Sequence, residues 1–71
     1  MLDAAEWRIL SYLALMEGRT RDVIMGALAL REEVLDEALQ RLKGRALVLV
    51  TCGESGDRYF ITSEGKRQLR L

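Results

Sequence analysis

The chain has 71 residues, 49% of them apolar, with 11 basic side chains balancing 11 acidic ones and neither histidine nor proline. That length predicts one domain, residues 1–71, with a thin core, because a chain this small buries only about 60% of the surface it exposes when unfolded. The composition excludes a disordered chain, and zero net charge counts against a free-standing polyanion binder unless the charges are unevenly spread. They are: residues 57–71 hold four basic and two acidic side chains, residues 31–43 three basic and four acidic. Cys52 is the only cysteine, so no internal disulfide can form, as suits a reducing cytoplasm. Its expected role is that of a small buried residue in a strand. No basic segment followed by an apolar run opens the chain, and no apolar stretch nears the ~18 residues of a membrane span. A cytoplasmic protein without membrane contact is expected.

Asp3 and Glu6 stand three apart ahead of an apolar periodic run, the spacing of a capping box, with Leu2 placed to act as a hydrophobic staple. Trp7, Ile9, Leu10, Leu13, Ala14 and Met16 recur at helical spacing, so the first helix is predicted over 4–17, with Gly18 as the left-handed residue that closes it. Thr20 is a candidate N-cap for a short second helix, 21–28, whose period is carried by Val23, Ile24, Ala27 and Leu28. Ala29 and Leu30 make a turn, and a third helix follows from 31 or 32 to 43, burying Leu35, Leu39 and Leu42 and stopping at Gly44. The run 47–52 and the run 58–62 are rich in β-branched and apolar residues, and the connector Gly53-Glu54-Ser55-Gly56-Asp57 between them reads as the loop of a hairpin. A short last helix after Thr62 or Ser63 carries Lys66, Arg67 and Arg70, charges that suit the negative end of a helix dipole or a phosphate. The fold class is therefore α+β and mostly α: three helices, a two-stranded hairpin and a short C-terminal helix.

Three stretches resemble the winged helix-turn-helix superfamily of MarR-, ArsR- and PadR-like regulators. Leu28-Ala29-Leu30 stands where such proteins usually have a leucine-glycine-leucine turn. Leu39 and Leu42 followed by Ala46-Leu47-Val48 match the recognition-helix leucines and the glycine-leucine-valine that enters the wing. Tyr59-Phe60-Ile61-Thr62-Ser63-Glu64-Gly65 is similar to the aromatic-x-leucine-threonine-x-x-glycine that ends it. The likeness covers about residues 20–71 and speaks for a fold rather than a target. It implies a winged-helix transcription regulator that binds duplex DNA mainly through phosphate contacts: Thr20 and Arg21 at the start of helix 2, Arg31 and Gln40 on helix 3, and Ser55 and Arg58 in the wing.

This sequence departs from that pattern on helix 3. Arg31 takes the usual serine or threonine N-cap slot, and Glu32, Glu33, Asp36 and Glu37 occupy positions usually filled by arginine, serine or glutamine. Carboxylates accept from cytosine N4, but four of them would enter the most negative part of a DNA interface. One plain alternative is a solvated face, with acids favoured at the helix N-terminus and Glu37 paired to Arg41 at i,i+4. Another is a protein-interaction module in which these four acids meet a basic partner. Trp7, Tyr12 and Met16 fall partly off the core-facing side of helix 1, and a homodimer or partner surface is the alternative to a wide core face there. No histidine, paired cysteine motif or phosphate-cradling loop supports catalysis, a metal site, a cofactor or a small-molecule substrate.

Overall fold

A computed structural model describes residues 2–54 and 56–70. The elements in chain order are α1 (Ala4–Leu15), β1 (Arg19–Thr20), α2 (Arg21–Leu28), α3 (Glu32–Gly44), β2 (Val48–Thr51), β3 (Arg58–Ile61) and α4 (Ser63–Gln68). β2 and β3 form the expected antiparallel hairpin, with Val48 opposite Ile61 and Thr51 opposite Arg58. The two-residue β1 adds a third strand on the other edge of β3, pairing Arg19 with Tyr59 and Thr20 with Arg58. Two residues show no periodicity of their own, so the sequence predicts only the hairpin.

The predicted capping box is present. Asp3 accepts from the Glu6 backbone at 2.8 Å and Glu6 accepts from the Asp3 backbone at 3.0 Å, while Leu2 packs on the core edge. α1 ends at Leu15, two residues early. Met16 leaves the helical region, and Gly18, at φ 75°, turns the chain into β1 rather than closing the helix. Its N–H donates to the Tyr59 carbonyl at 3.1 Å, and a Cβ there would meet the Phe60 ring at 3.1 Å.

Ile9, Leu10 and Leu13 of α1, Ile24 of α2, and Leu35, Ala38, Leu39 and Leu42 of α3 form the core with Leu47, Val48 and Ile61. α2 contributes less than its pattern suggests. Ile24 is fully buried and Leu28 packs at the edge, but Val23 and Ala27 are exposed, because a helix of two turns turns a single narrow stripe to α1. Cys52 is also exposed rather than buried: β2 ends at Thr51, and the chain beyond it leaves the core with the hairpin tip.

Polar contacts lock the ends of the elements. Glu6 is only 3% exposed. Its Oε2 lies 3.4 Å from Arg45 Nη1 and 3.6 Å from Arg41 Nε, and Arg41 Nη2 reaches Asp3 at 2.8 Å. The basic C-terminal end of α3 thus grips the acidic N-terminal end of α1, each charge placed where its own helix dipole favours it. At the other side of the sheet, Thr62 caps α4 by accepting from Gly65 N–H at 3.0 Å and donates to the Ala46 carbonyl at 2.7 Å. A Cβ on Gly65 would run into the Leu47 carbonyl and come within 2.7 Å of the Ile61 side chain, so only glycine lets α4 seat on the start of the hairpin.

Two alanines occupy left-handed backbone where glycine is favoured: Ala29 at φ 52° and Ala46 at φ 58°. Each carries a steric cost of about 1 kcal/mol. Ala29→Gly and Ala46→Gly should each stabilise the fold by about 0.5 kcal/mol after glycine's larger unfolded-state entropy is subtracted. Gly65→Ala should destabilise it by about 2 kcal/mol through overpacking. Urea denaturation of the three variants checks both signs.

Candidate nucleic-acid interface

α2 and α3 are joined by a turn held at both ends. Ala29 and Leu30 both donate to the Met25 carbonyl, Leu30 at 3.2 Å, and Leu35 N–H donates to Arg31 at 2.9 Å. Arg8 of α1 donates to the Leu28 carbonyl at 2.7 Å, which ties the end of α2 to α1. With Leu35, Ala38, Leu39 and Leu42 inward, the helical period leaves Glu32, Glu33, Asp36, Glu37 and Gln40 exposed on the far side of α3.

Arg21, the first residue of α2, lies over this face. Its Nε and Nη2 donate to the two carboxylate oxygens of Asp36 at 2.6 and 2.9 Å, a bidentate pair across the turn. Glu32 stands 3.4 Å and Asp22 3.5 Å from the same guanidinium. The hydrogen bond to Arg21 holds the Asp36 carboxyl below the usual carboxylate range, and the Asp36 contact raises Arg21 in turn. Thr20 is the N-cap of α2, accepting from Val23 N–H at 3.4 Å.

Tyr59 lines two shallow grooves on this side. One, of about 270 Å³, lies between α3 and the sheet and is bordered by Asp36, Leu39, Gln40 and Lys43. The other, of about 230 Å³, runs between the start of α2 and the hairpin loop, bordered by Thr20, Arg21, Asp22, Gly56 and Asp57. Burial pushes the Tyr59 phenol up, and the neighbouring Asp57 charge adds to the shift. The start of α2, the outer face of α3 and the loop end of the hairpin therefore open onto one surface.

No protein-family model matches the sequence, and no curated protein matches it. Solved structures do. BpsR from Bordetella bronchiseptica, whose DNA binding is regulated by 6-hydroxynicotinic acid, aligns over 96% of this chain and 50% of its own at 22% identity and a TM-score of 0.89. A MarR-family transcriptional regulator from Silicibacter pomeroyi aligns over 96% and 47% at 22% identity and a TM-score of 0.90. A variant of MepR from S. aureus, bound to an oligodeoxyribonucleotide, aligns over 96% and 53% at 18% identity and a TM-score of 0.89.

The fold is a winged helix. The chain spans about half the length of the structures it matches. In winged-helix terms α3 stands in the position of the recognition helix and β2–β3 is the wing.

The residues expected on the DNA side are distributed unevenly. Thr20, Arg21 and Gln40 border the two grooves. Arg31 is the N-cap of α3 and is exposed, with no side-chain hydrogen bond to the helix. Arg58 is exposed in the wing, and its guanidinium donates to the Gly18 carbonyl at 2.7 Å. Ser55 lies outside the described residues. The Glu37–Arg41 pair expected along α3 does not form; Arg41 is drawn to Asp3 and Glu6 instead, where two carboxylates, one of them buried, outbid a single exposed one. Lys43 and Tyr59 were not expected at the site. Lys43 was legible three residues beyond Gln40 on the same helical face, and Tyr59 two residues before buried Ile61 on the same strand face.

On α1 and just beyond its end, Trp7 and Met16 are each 40% exposed and Leu15 83%. Trp7, Tyr12, Leu15 and Leu28 line an apolar hollow of about 330 Å³ with Arg8 and Ser11. Leu15, the most exposed of these, is absent from the predicted Trp7, Tyr12, Met16 set. Among the described residues no group of His, Cys, Asp and Glu could hold a metal ion, and no helix is long and apolar enough to cross a membrane.

The Arg21–Asp36 pair has a definite pH signature. Because Asp36 binds its proton less readily when folded, its contribution is fully present above the ordinary aspartate value of about 3.9 and fades as pH falls below it. Asp36→Asn should therefore make melting temperature fall less steeply between roughly pH 5 and pH 2 than in the unaltered protein, as thermal unfolding followed by circular dichroism will show.

Proposed function

We propose that the chain is a DNA-binding winged-helix unit of a cytoplasmic transcription regulator, acting mainly through phosphate contacts and without catalytic activity. The observation that carries this reading is the shared surface on which the α2 N-terminus, the exposed side of α3 and the loop end of the wing meet. Winged-helix proteins of matching shape include one bound to an oligodeoxyribonucleotide and one whose DNA binding is regulated. In the proposed complex Thr20 and the α2 N-terminus approach phosphate, Arg31 approaches it from the start of α3, and Arg58 from the wing, and the sequence expectation adds Ser55 to the set. Gln40 is the neutral polar side chain of α3 best suited to a base edge. Arg21 shares the surface, but its guanidinium is already occupied by Asp36.

A titration with mixed-sequence duplex DNA at low and high salt tests this by NMR. Shifts should appear at α3 and the wing and weaken steeply with salt. Arg31→Ala combined with Arg58→Ala should lower the slope of log K against log salt by about two. No response to duplex DNA at low salt counts decisively against the reading.

The acidity of α3 favours a second reading, a protein partner with a basic surface. Glu33 and Glu37 make no salt bridge among the described residues, and Glu32 makes one contact of 3.4 Å, so negative charge on this face is only partly neutralised. The combined changes Glu32→Lys, Glu33→Lys, Asp36→Lys and Glu37→Lys separate the two: they should tighten duplex DNA binding but abolish capture of a basic polypeptide such as polylysine.

A further inference from the structure

We infer that Asp36 acts as an intramolecular phosphate mimic that keeps Arg21 off the DNA backbone, so that the recognition helix restrains the winged helix's own affinity for polyanions. The inference rests on the DNA-binding reading above and concerns how strongly that surface is allowed to act.

The geometry carries the argument. Among the described residues, Arg21 is the only basic one bordering the groove between α2 and the wing. A planar guanidinium recognises a planar carboxylate or a phosphate with the same pair of parallel donors. At Arg21 those donors, Nε and Nη2, are both taken by Asp36 at 2.6 and 2.9 Å. Nη1 and the remaining proton of Nη2 face Asp22 at 3.5 Å and Glu32 at 3.4 Å. Three carboxylates thus surround one guanidinium, and the local charge is negative where a phosphate would dock.

The pair links the two halves of the helix-turn-helix: Arg21 begins α2 and Asp36 lies in the second turn of α3. Neither side chain is buried away from water, with 31% and 49% of their surfaces exposed. Exchange of Asp36 for a phosphate therefore needs no unfolding, only competition between two anions for the same donors. Removing Asp36 leaves Asp22 and Glu32 as longer, single-point contacts on exposed side chains, which are weak competitors.

The test measures duplex DNA binding across a salt series for the unaltered chain and for Asp36→Asn, Asp36→Ala, Arg21→Ala, and Arg21→Ala combined with Asp36→Ala. Glu37→Gln serves as the control, since it removes one charge from the same helix without touching Arg21. Both Asp36 variants should bind roughly tenfold more tightly and steepen the salt slope by about 0.9, the increment of one added phosphate contact. That gain should vanish in the Arg21→Ala background, while Arg21→Ala alone should change little. In the free protein, Asp36→Ala should also release the Arg21 Nε proton to fast solvent exchange. Thermal melts confirm that each variant is folded.

An Asp36 gain that survives intact in the Arg21→Ala background, or that Glu37→Gln reproduces in full, overturns the restraint and leaves DNA binding standing as simple charge relief. A tenfold loss and a flatter slope from Arg21→Ala alone also overturn it, because Arg21 would already be on phosphate. If neither the unaltered chain nor either Asp36 variant binds duplex DNA at low salt, the DNA reading fails and the restraint with it. Binding by the Asp36 variants alone supports both.

Discussion

The apolar stripe of α3 has to be buried against α1 and the sheet, and most of this molecule's properties follow from that requirement. Leu35, Ala38, Leu39 and Leu42 are at most 4% exposed. Each large buried side chain of this kind stabilises the fold by about 2 kcal/mol, so in a core this thin the orientation of α3 is not negotiable. A helix has only one opposite side. Once four residues point inward, Glu32, Glu33, Asp36, Glu37 and Gln40 must point outward, whatever that does to the surface.

The outward charges are not left as independent solvated groups. Arg21 closes across the α2–α3 turn onto Asp36, while Arg41 and Arg45 close across the other end of α3 onto Asp3 and Glu6. The two clusters differ in kind. Glu6 is buried and carries both a capping hydrogen bond and two guanidinium contacts, so its ion pairs join α1 to α3 where water is scarce. The Arg21 cluster is open to solvent and contains more carboxylates than cations. Exposed pairs add little to stability. The more consequential effect of that cluster is electrostatic: it places three carboxylates around one guanidinium on the surface that opens beside Tyr59.

Zero net charge therefore hides a division of labour. Several arginines that composition alone would credit to a polyanion surface are spent inside the fold. Arg8 serves the end of α2, and Arg41 and Arg45 serve Glu6. Arg31 and Lys43 remain on the exposed side of α3 without a salt bridge among the described residues. The outer side of α3 is thus left with few free cations and several acids.

The helices with their starts, the hairpin, the capping box and the leucines of the core were legible because each is a local or periodic signal: a cap spacing, a 3.6-residue repeat, a run of β-branched residues; the end of α1 was not. The same periodicity placed the four acids of α3 outward. Other features lie between segments far apart in the chain. β1 exists only because β3 offers it an edge. Gly18 is explained by the Phe60 ring, and Gly65 by the Leu47 carbonyl. Cys52 looked like a strand residue and became part of an exposed loop because the ladder stops at Thr51. The partners of the arginines were the least legible of all, since Arg21 and Asp36 are fifteen residues apart and Arg41 and Asp3 thirty-eight. Sequence by itself determined which face of each helix is apolar, because burial follows side-chain period. Tertiary structure alone decided which charge meets which, because long flexible side chains choose among all the carboxylates that packing happens to bring within reach.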